Sequence, residues 1–329
     1  MTAVVERGVA AGARPKRRLP GWARSMLVVA IGIAILSITV TLTGQVQLTS
    51  SGTAQAAVRL LLPILLAGLG GLWSERAGVV NIGLEGMMIL GTWGAAWAGY
   101  QWGPWAALLG GILFGALGGL LHAVATVTFA VNHIVSGVAI TLLGLGVTKY
   151  LASLLFLPIT GNPRESPRVQ GFAEFSIPGL SEGAAALEAQ QRVVVSDVAG
   201  LLGGLVTNLT AMVVIGFALV PLSYYLLWRT RFGLRLRSCG ENPVAAESLG
   251  VNVYRYKYIG VVVSGALAGL AGAALVLNPG QLGYLEGQTG GRGYIGLATG
   301  AQLQPVDVAE QRGAREQPHR RPVPEDHCG

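Results

Sequence analysis

The run from Ile134 to Leu157, IVSGVAITLLGLGVTKYLASLLFL, decides the fold class. It carries one charge, Lys149, and otherwise only apolar, small and hydroxyl side chains. A helix needs about 20 such residues to cross the hydrocarbon of a bilayer. Lys149 sits near one end, where its ammonium can snorkel to the interface along its aliphatic stem. Comparable runs are Met26–Leu42, Ala56–Trp73, Val79–Tyr100, Trp105–Phe129, Ala199–Trp228 and Tyr258–Leu277. Together they predict an all-α, polytopic bundle of about seven spans. The Ala56–Trp73 run contains Pro63 and the Gly68, Gly70, Gly71 cluster, so a broken or re-entrant span is expected there.

Composition agrees. Of 329 residues, 52% are hydrophobic and 12% charged, and the mean hydropathy is +0.55. Soluble domains carry roughly 25% charged residues. The net charge of +7 does not point to nucleic acid, because the basic residues cluster beside apolar runs. Neither Cys239 and Cys328 nor His122, His133, His319 and His327 fall at metal-ligand spacing, and Cys239 reads as a free thiol in a loop. No metal or cofactor is expected.

The charges orient the chain. Residues 1–24 hold Arg7, Arg14, Lys16, Arg17, Arg18 and Arg24 against Glu6. The following run is too long for a secretion-signal core, so an uncleaved first span with a cytoplasmic N-terminus is expected. Segment 158–198 then falls outside, with Arg164, Arg168 and Arg192 against Glu165, Glu174, Glu182, Glu188 and Asp197. Segment 229–257 falls inside, with Arg229, Arg231, Arg235, Arg237, Arg255 and Lys257 against Glu241 and Glu247. The basic loop is cytoplasmic and the acidic one is not, as the positive-inside rule requires.

Small residues mark contact faces. Gly111, Gly115 and Gly119 stack on one helix face, and Gly265, Gly269 and Ala273 on another, where helices can approach closely in lipid.

Few residues suggest chemistry. There is no Walker A motif, so an ATP-driven process would need a partner to bind the nucleotide. Gly291-Arg-Gly-Tyr-Ile-Gly296 matches G-x-G-x-x-G, but no strand or βαβ unit accompanies it in a chain with 49 glycines. No Ser/His/Asp or Cys/His set emerges. Within the third run, Asn81 and Glu85 are costly residues for a span, the acid by roughly 3 kcal/mol. They are either a polar clamp or a substrate contact, with Arg76 a candidate partner for Glu85. Asn132, His133 and Ser136 lie at a turn, where a helix cap is the default role. Asn81, Glu85, Asn132 and Ser136 form the candidate translocation pathway.

The 229–257 loop is the most informative stretch. Asn242-Pro243 starts a helix, Val244–Leu249 continues it and Gly250 ends it. A short exposed helix rimmed by arginines is a docking knob for a soluble partner or an anchor for anionic lipid.

The run TRFGLRLRSCGENPVAAESLGVNVYRYKY (230–258) resembles the coupling loop of permease subunits of ABC importers. The branch is that of nucleoside and simple-sugar importers, related to branched-chain amino-acid permeases. Ala245, Ala246 and Gly250 echo the alanine–glycine signature by which such permeases engage their ATPase. Further matches are LWSERAGVVNIGLEGMM (72–88), NHIVSGVAI (132–140) and SGALAGLAGA (264–273). The resemblance covers about residues 57–298 and implies a coupling surface of Arg231, Gly233, Arg235, Arg237, Glu241, Asn242, Pro243, Ala245, Ala246 and Gly250. It implies separate ATPase subunits, a second permease subunit and an extracytoplasmic substrate-binding lipoprotein, in a bacterial cytoplasmic membrane. A self-contained secondary transporter is the rival; it requires coupling acids deep within spans. A membrane-embedded enzyme is a further rival, without a catalytic set.

The implied domains are a basic segment 1–24, a permease domain 25–298 and a polar tail 299–329 expected to be disordered. Family permeases continue beyond a GRGYIGLA-like stretch into further spans, so the resemblance implies an incomplete permease whose C-terminus is truncated or frameshifted, or else ends in a genuine soluble tail. Shifted by one nucleotide, an allowed back-translation of Ala301–Pro305 reads Arg-Asn-Phe-Asn-Pro, which suits the family better.

Overall fold

Helices account for most of the described backbone, as the apolar runs require. The computed structural model describes residues 46–189 and 195–302, with scattered positions between 23 and 44. Almost all of the basic N-terminal segment, much of the 26–42 run and the tail beyond 302 therefore lie outside the described residues.

In chain order the helices are α1 (Ser51–Arg76), α2 (Leu84–Trp102), α3 (Pro104–Ala123), α4 (His133–Leu155), α5 (Leu180–Glu188) and α6 (Val195–Val206). There follow α7 (Ala211–Tyr224), α8 (Arg231–Glu241), α9 (Pro243–Ser248), α10 (Val253–Val276) and α11 (Arg292–Gln302). Wider π-helical turns extend α3 through Val124–Thr128 and α7 through Tyr225–Arg229. The described residues fall into two compact units, one drawn from 1–55 with 176–208 and the other from 56–175 with 209–302.

Five helices among the described residues are long and apolar enough to span a membrane: Ser51–Arg76, Pro104–Thr128, His133–Leu155, Ala211–Arg229 and Val253–Val276. The chain is thus an all-α polytopic protein, with three differences from the expected spans. First, α1 is one continuous helix through Pro63. Its glycines serve close packing instead of a break: a Cβ at Gly70 would lie 2.8 Å from the Ser264 carbonyl oxygen, and one at Gly68 3.2 Å from that of Gly296. Second, the 199–228 run is split. It is longer than one span needs, and Asn208 turns the chain with a positive φ of 49°. Strand β2 (Leu209–Thr210) then pairs antiparallel with β1 (Glu174–Phe175) before α7 begins. Third, the Val79–Tyr100 run is helical only from Leu84, and α2 is too polar to count with the five. It is buried almost throughout, from Leu84 to Gly99 apart from Trp97. A helix covered by protein on every side has no need of an apolar surface.

What covers α2 are chiefly α3, α4 and α10. The two glycine stripes read from the sequence are opposite sides of one seam. A Cβ on Gly111 would lie 2.8 Å from Ala273 Cβ and 2.9 Å from the Gly269 oxygen, and one on Gly119 would lie 2.9 Å from the Val261 oxygen. On its other face α2 meets α10 through Gly91 against Gly269 and through Gly272, where a Cβ would lie 2.7 Å from the Thr92 nitrogen. At the Trp102 end of α2 an aromatic cluster fills the space, with Trp93 centred 5.3 Å from Phe114 and 5.8 Å from Phe156. Residues 164–169 pair here with 282–286: Glu286 N donates to Arg164 O (2.8 Å), Ser166 N to Tyr284 O (3.1 Å) and Val169 N to Leu282 O (3.2 Å).

The first unit is held by polar contacts. Thr49 Oγ1 donates to Asp197 Oδ1 (2.6 Å), Ser51 N to Glu188 Oε1 (3.1 Å) and Ile177 N to Val206 O (3.1 Å).

Candidate functional sites: a capped surface helix and a buried polar core

The 229–257 loop is ordered by caps. Thr230 is extended and its Oγ1 accepts from Gly233 N (3.1 Å), which starts α8. Gly233 is buried because a side chain there would run into the carbonyls of Leu226 and Leu227. α8 buries Leu236 and Cys239 and exposes Arg231 and Arg235. Arg235 donates to the Tyr256 hydroxyl (3.4 Å), and Glu241 is exposed at the helix end. Cys239 is a free, buried thiol whose pKa is pushed up by burial, which keeps it unreactive. Asn242 caps the next helix, its Oδ1 accepting from Ala245 N (3.0 Å), with Pro243 at the first position. Gly250, at φ 78°, closes it, and Val251 N returns to Ala246 O (3.1 Å).

The expected helix is therefore present, shifted one residue toward the N-terminus. α8 was missed. Its signal was a Thr230 cap followed by Phe232, Leu236 and Cys239 on one helical face, hidden among arginines. The two alanines lie on different faces of α9. Ala246 is 2% exposed and packs inward, whereas Val244 and Leu249 are 78% and 83% exposed, and Ala245 is also exposed. On a helix, neighbours one apart point in different directions.

The second candidate site surrounds the irregular stretch 79–83. Asn81 is fully buried; its Nδ2 donates to Ser264 Oγ (2.9 Å) on α10 and approaches Met87 Sδ (3.3 Å). Glu85, 5% exposed, accepts from Gly291 N at Oε1 (2.9 Å) and from Gly293 N at Oε2 (2.7 Å). Arg76 is not its partner; that guanidinium lies over Trp228. The reason is electrostatic. The first N–H groups of a helix lack intrahelical acceptors and carry the positive end of its dipole, so the start of α11 offers a carboxylate charge-assisted bonds. Gly293 is required by contact, since a Cβ would lie 2.7 Å from Glu85 Cα, and Gly291 by its φ of 79°. The glycines of the G-x-G-x-x-G match thus fit a helix start onto an acid. No local sequence signal links positions so far apart in the chain.

Asn132 is exposed and caps α4 by accepting from Ile134 N (2.8 Å). Ser136 is buried against His122 Nδ1 (2.9 Å), and His133 Nδ1 accepts from Val80 N (3.3 Å). Asn81 ties the stretch before α2 to α10, Glu85 ties α2 to the start of α11, Asn132 caps α4 and Ser136 pairs with His122. Lys149 binds Glu286 (2.8 Å). That bond, with Arg164 beyond it, holds the Glu286 carboxyl below the usual range. No group of three or more metal-ligating side chains exists among the described residues.

Residues 53–284 match the family model for the branched-chain amino acid transport system / permease component. The guanosine ABC transporter permease protein NupQ of Bacillus subtilis is 37% identical over 72% of this chain and 70% of its own length. The nucleoside ABC transporter permease protein NupC of Lactococcus lactis is 36% identical over 72% and 70%. A putative glucose ABC transporter permease protein, TsgC13 of Haloferax volcanii, is 34% identical over 76% and 69%. No solved structure matches significantly. With its polytopic helical bundle and this match over most of its length, the chain belongs to the branched-chain amino acid transport system permease component family.

Proposed function

We propose that the chain is the membrane-spanning subunit of an ATP-driven importer of nucleosides or simple sugars, and that its ATPase docks on α9. The observation that carries this reading is the geometry of α9. A helix of six residues, capped at both ends and tied back through Ala246, holds Val244 and Leu249 out to solvent. Large apolar side chains so exposed on a rigid support are suited to a partner's groove. The names of the similar proteins favour the substrate class. On this reading the loop is cytoplasmic, segment 158–198 faces outward to a binding lipoprotein, and a second permease subunit completes the pathway. Chemistry on substrate is not required of this chain, and ATP is bound by the partner. The secondary-transporter reading is weaker, because Glu85 has both oxygens engaged by backbone N–H groups.

Co-reconstitution with a cognate ATPase and binding protein tests the assignment. Guanosine or another nucleoside should stimulate ATP hydrolysis and uptake, with sugars as the second class to try. Solute uptake that persists without any ATPase, driven by an ion gradient, would overturn it.

A further inference from the structure

Trp228 lies in the last turn of the span Ala211–Arg229, and two cations converge on its ring. The guanidinium carbon of Arg76, at the end of α1, is 5.5 Å from the ring centre, and that of Arg237, on α8, is 6.0 Å from it. Three separate elements thus bring two positive charges to one indole. The ring quadrupole attracts each cation but offers neither an acceptor in the guanidinium plane. Neither arginine has a salt-bridge partner among the described residues. The Nε of each is buried without a hydrogen-bond acceptor. A like-charged, under-bonded pair held this way calls for an anion.

The surroundings specify which anion. Trp228 stacks on Tyr224, with centres 5.5 Å apart and planes at 17°. Tyr224 and Tyr225 are exposed, as are Val214, Phe217 and Leu222 further along the same helix and Arg229 and Arg231 just beyond it. Aromatic residues at the end of an apolar helix, with arginines beside them, mark the depth of phospholipid headgroups, and the exposed apolar row suits acyl chains. We propose that Arg76 and Arg237, assembled on Trp228, bind the phosphate of an anionic phospholipid headgroup. The planar guanidinium fork matches a phosphate bidentately.

The test is native mass spectrometry of the delipidated full-length protein, titrated with dioleoyl phosphatidylglycerol or with phosphatidylcholine of the same chains. Wild type should retain the anionic lipid preferentially. Arg237→Gln should weaken it about fivefold, and the Arg76→Gln/Arg237→Gln double variant should weaken it further. Arg237→Lys, which keeps the charge and loses the fork, should fall between. Arg168→Gln, exposed in the 158–198 segment, should match wild type. Thermal unfolding of each variant controls for the fold, and Arg237→Gln alone suffices if the Arg76 variant does not fold. Equal retention of both lipids, or equal damage from Arg168→Gln, would overturn the site. So would displacement of the lipid by inorganic phosphate, which would make it a free-anion site. Unchanged lipid binding with loss of the ATPase in Arg237→Gln would assign the pair to a protein carboxylate instead.

Discussion

The α2–α3–α10 seam and the α9 knob use small residues in opposite ways. In the seam Gly111, Gly115, Gly119, Gly265 and Gly269 disappear from the surface so that backbones touch. In the knob Gly250 has nothing within 4 Å of where its Cβ would be, and its role is to end the helix at positive φ. Beside the seam a polar side chain is buried on a partner, Asn81 Nδ2 donating to Ser264 Oγ. The knob leaves apolar groups exposed with nothing on them. One region is shaped by its own packing, where lipid gives helices no hydrophobic drive to associate; the other, on the proposed reading, is shaped for a partner.

The sharpest way to break this contrast is to place a side chain in the seam. A Cβ at Gly269 would overlap the Gly111 carbonyl and lie 2.7 Å from Gly115 Cα. Gly269→Leu should destabilise the bundle by about 3 kcal/mol or more. Gly146→Leu, at an exposed glycine of α4 with nothing within 4 Å, should be near wild type. Monodisperse yield and thermal unfolding in detergent separate the two; similar behaviour would mean the seam is not as close as described.

The next effect lies at the polar end of the same core. Glu85→Ala leaves the N–H groups of Gly291 and Gly293 buried without acceptors and should cost about 2–3 kcal/mol. Glu85→Gln keeps one acceptor oxygen and should lose roughly half as much. Amide exchange at Gly291 and Gly293 reads this directly. Unchanged protection in the Ala variant would refute the clamp.

The smallest effect is at the surface. Glu286 has a folded pKa below its unfolded value of 4.5. Its contribution is therefore complete above that pH and is lost as pH falls through the lowered folded value. The pair with Lys149 is exposed, so Glu286→Gln should lower stability at neutral pH by less than about 1 kcal/mol. Melting temperatures of variant and wild type should converge as the solution is acidified. A gap that persists at low pH would show that the side chain acts by packing instead of charge.

What was legible in the sequence was whatever a local pattern encodes. Apolar length announced the spans, and three-to-four spacing announced both glycine stripes. Asn242-Pro243 with Gly250 announced α9, because caps and stops act within a few residues. What was not legible depended on distant neighbours. Pro63 and the α1 glycines looked like a break until their close-packed partners, Ser264 and Gly296, were known. Glu85 was a costly charge until Gly291 and Gly293 supplied its donors. The break at Asn208 had no strong signal, since a pair of two-residue strands leaves no periodicity. Ala246 shared a motif with Ala245 but faces the other way, which only the helix phase reveals.

On the proposed reading, α9 carries the ATPase. Val244→Arg and Leu249→Arg change side chains that touch solvent, so the bundle should fold and insert as wild type. Co-purification of the ATPase with each variant, against wild type and against Leu234→Arg on the exposed face of α8, measures the claim. Each α9 variant should lose about 2 kcal/mol of association, roughly thirtyfold in affinity, while Leu234→Arg loses little. ATPase recovered at wild-type levels with both α9 variants would mean that it docks elsewhere on the chain.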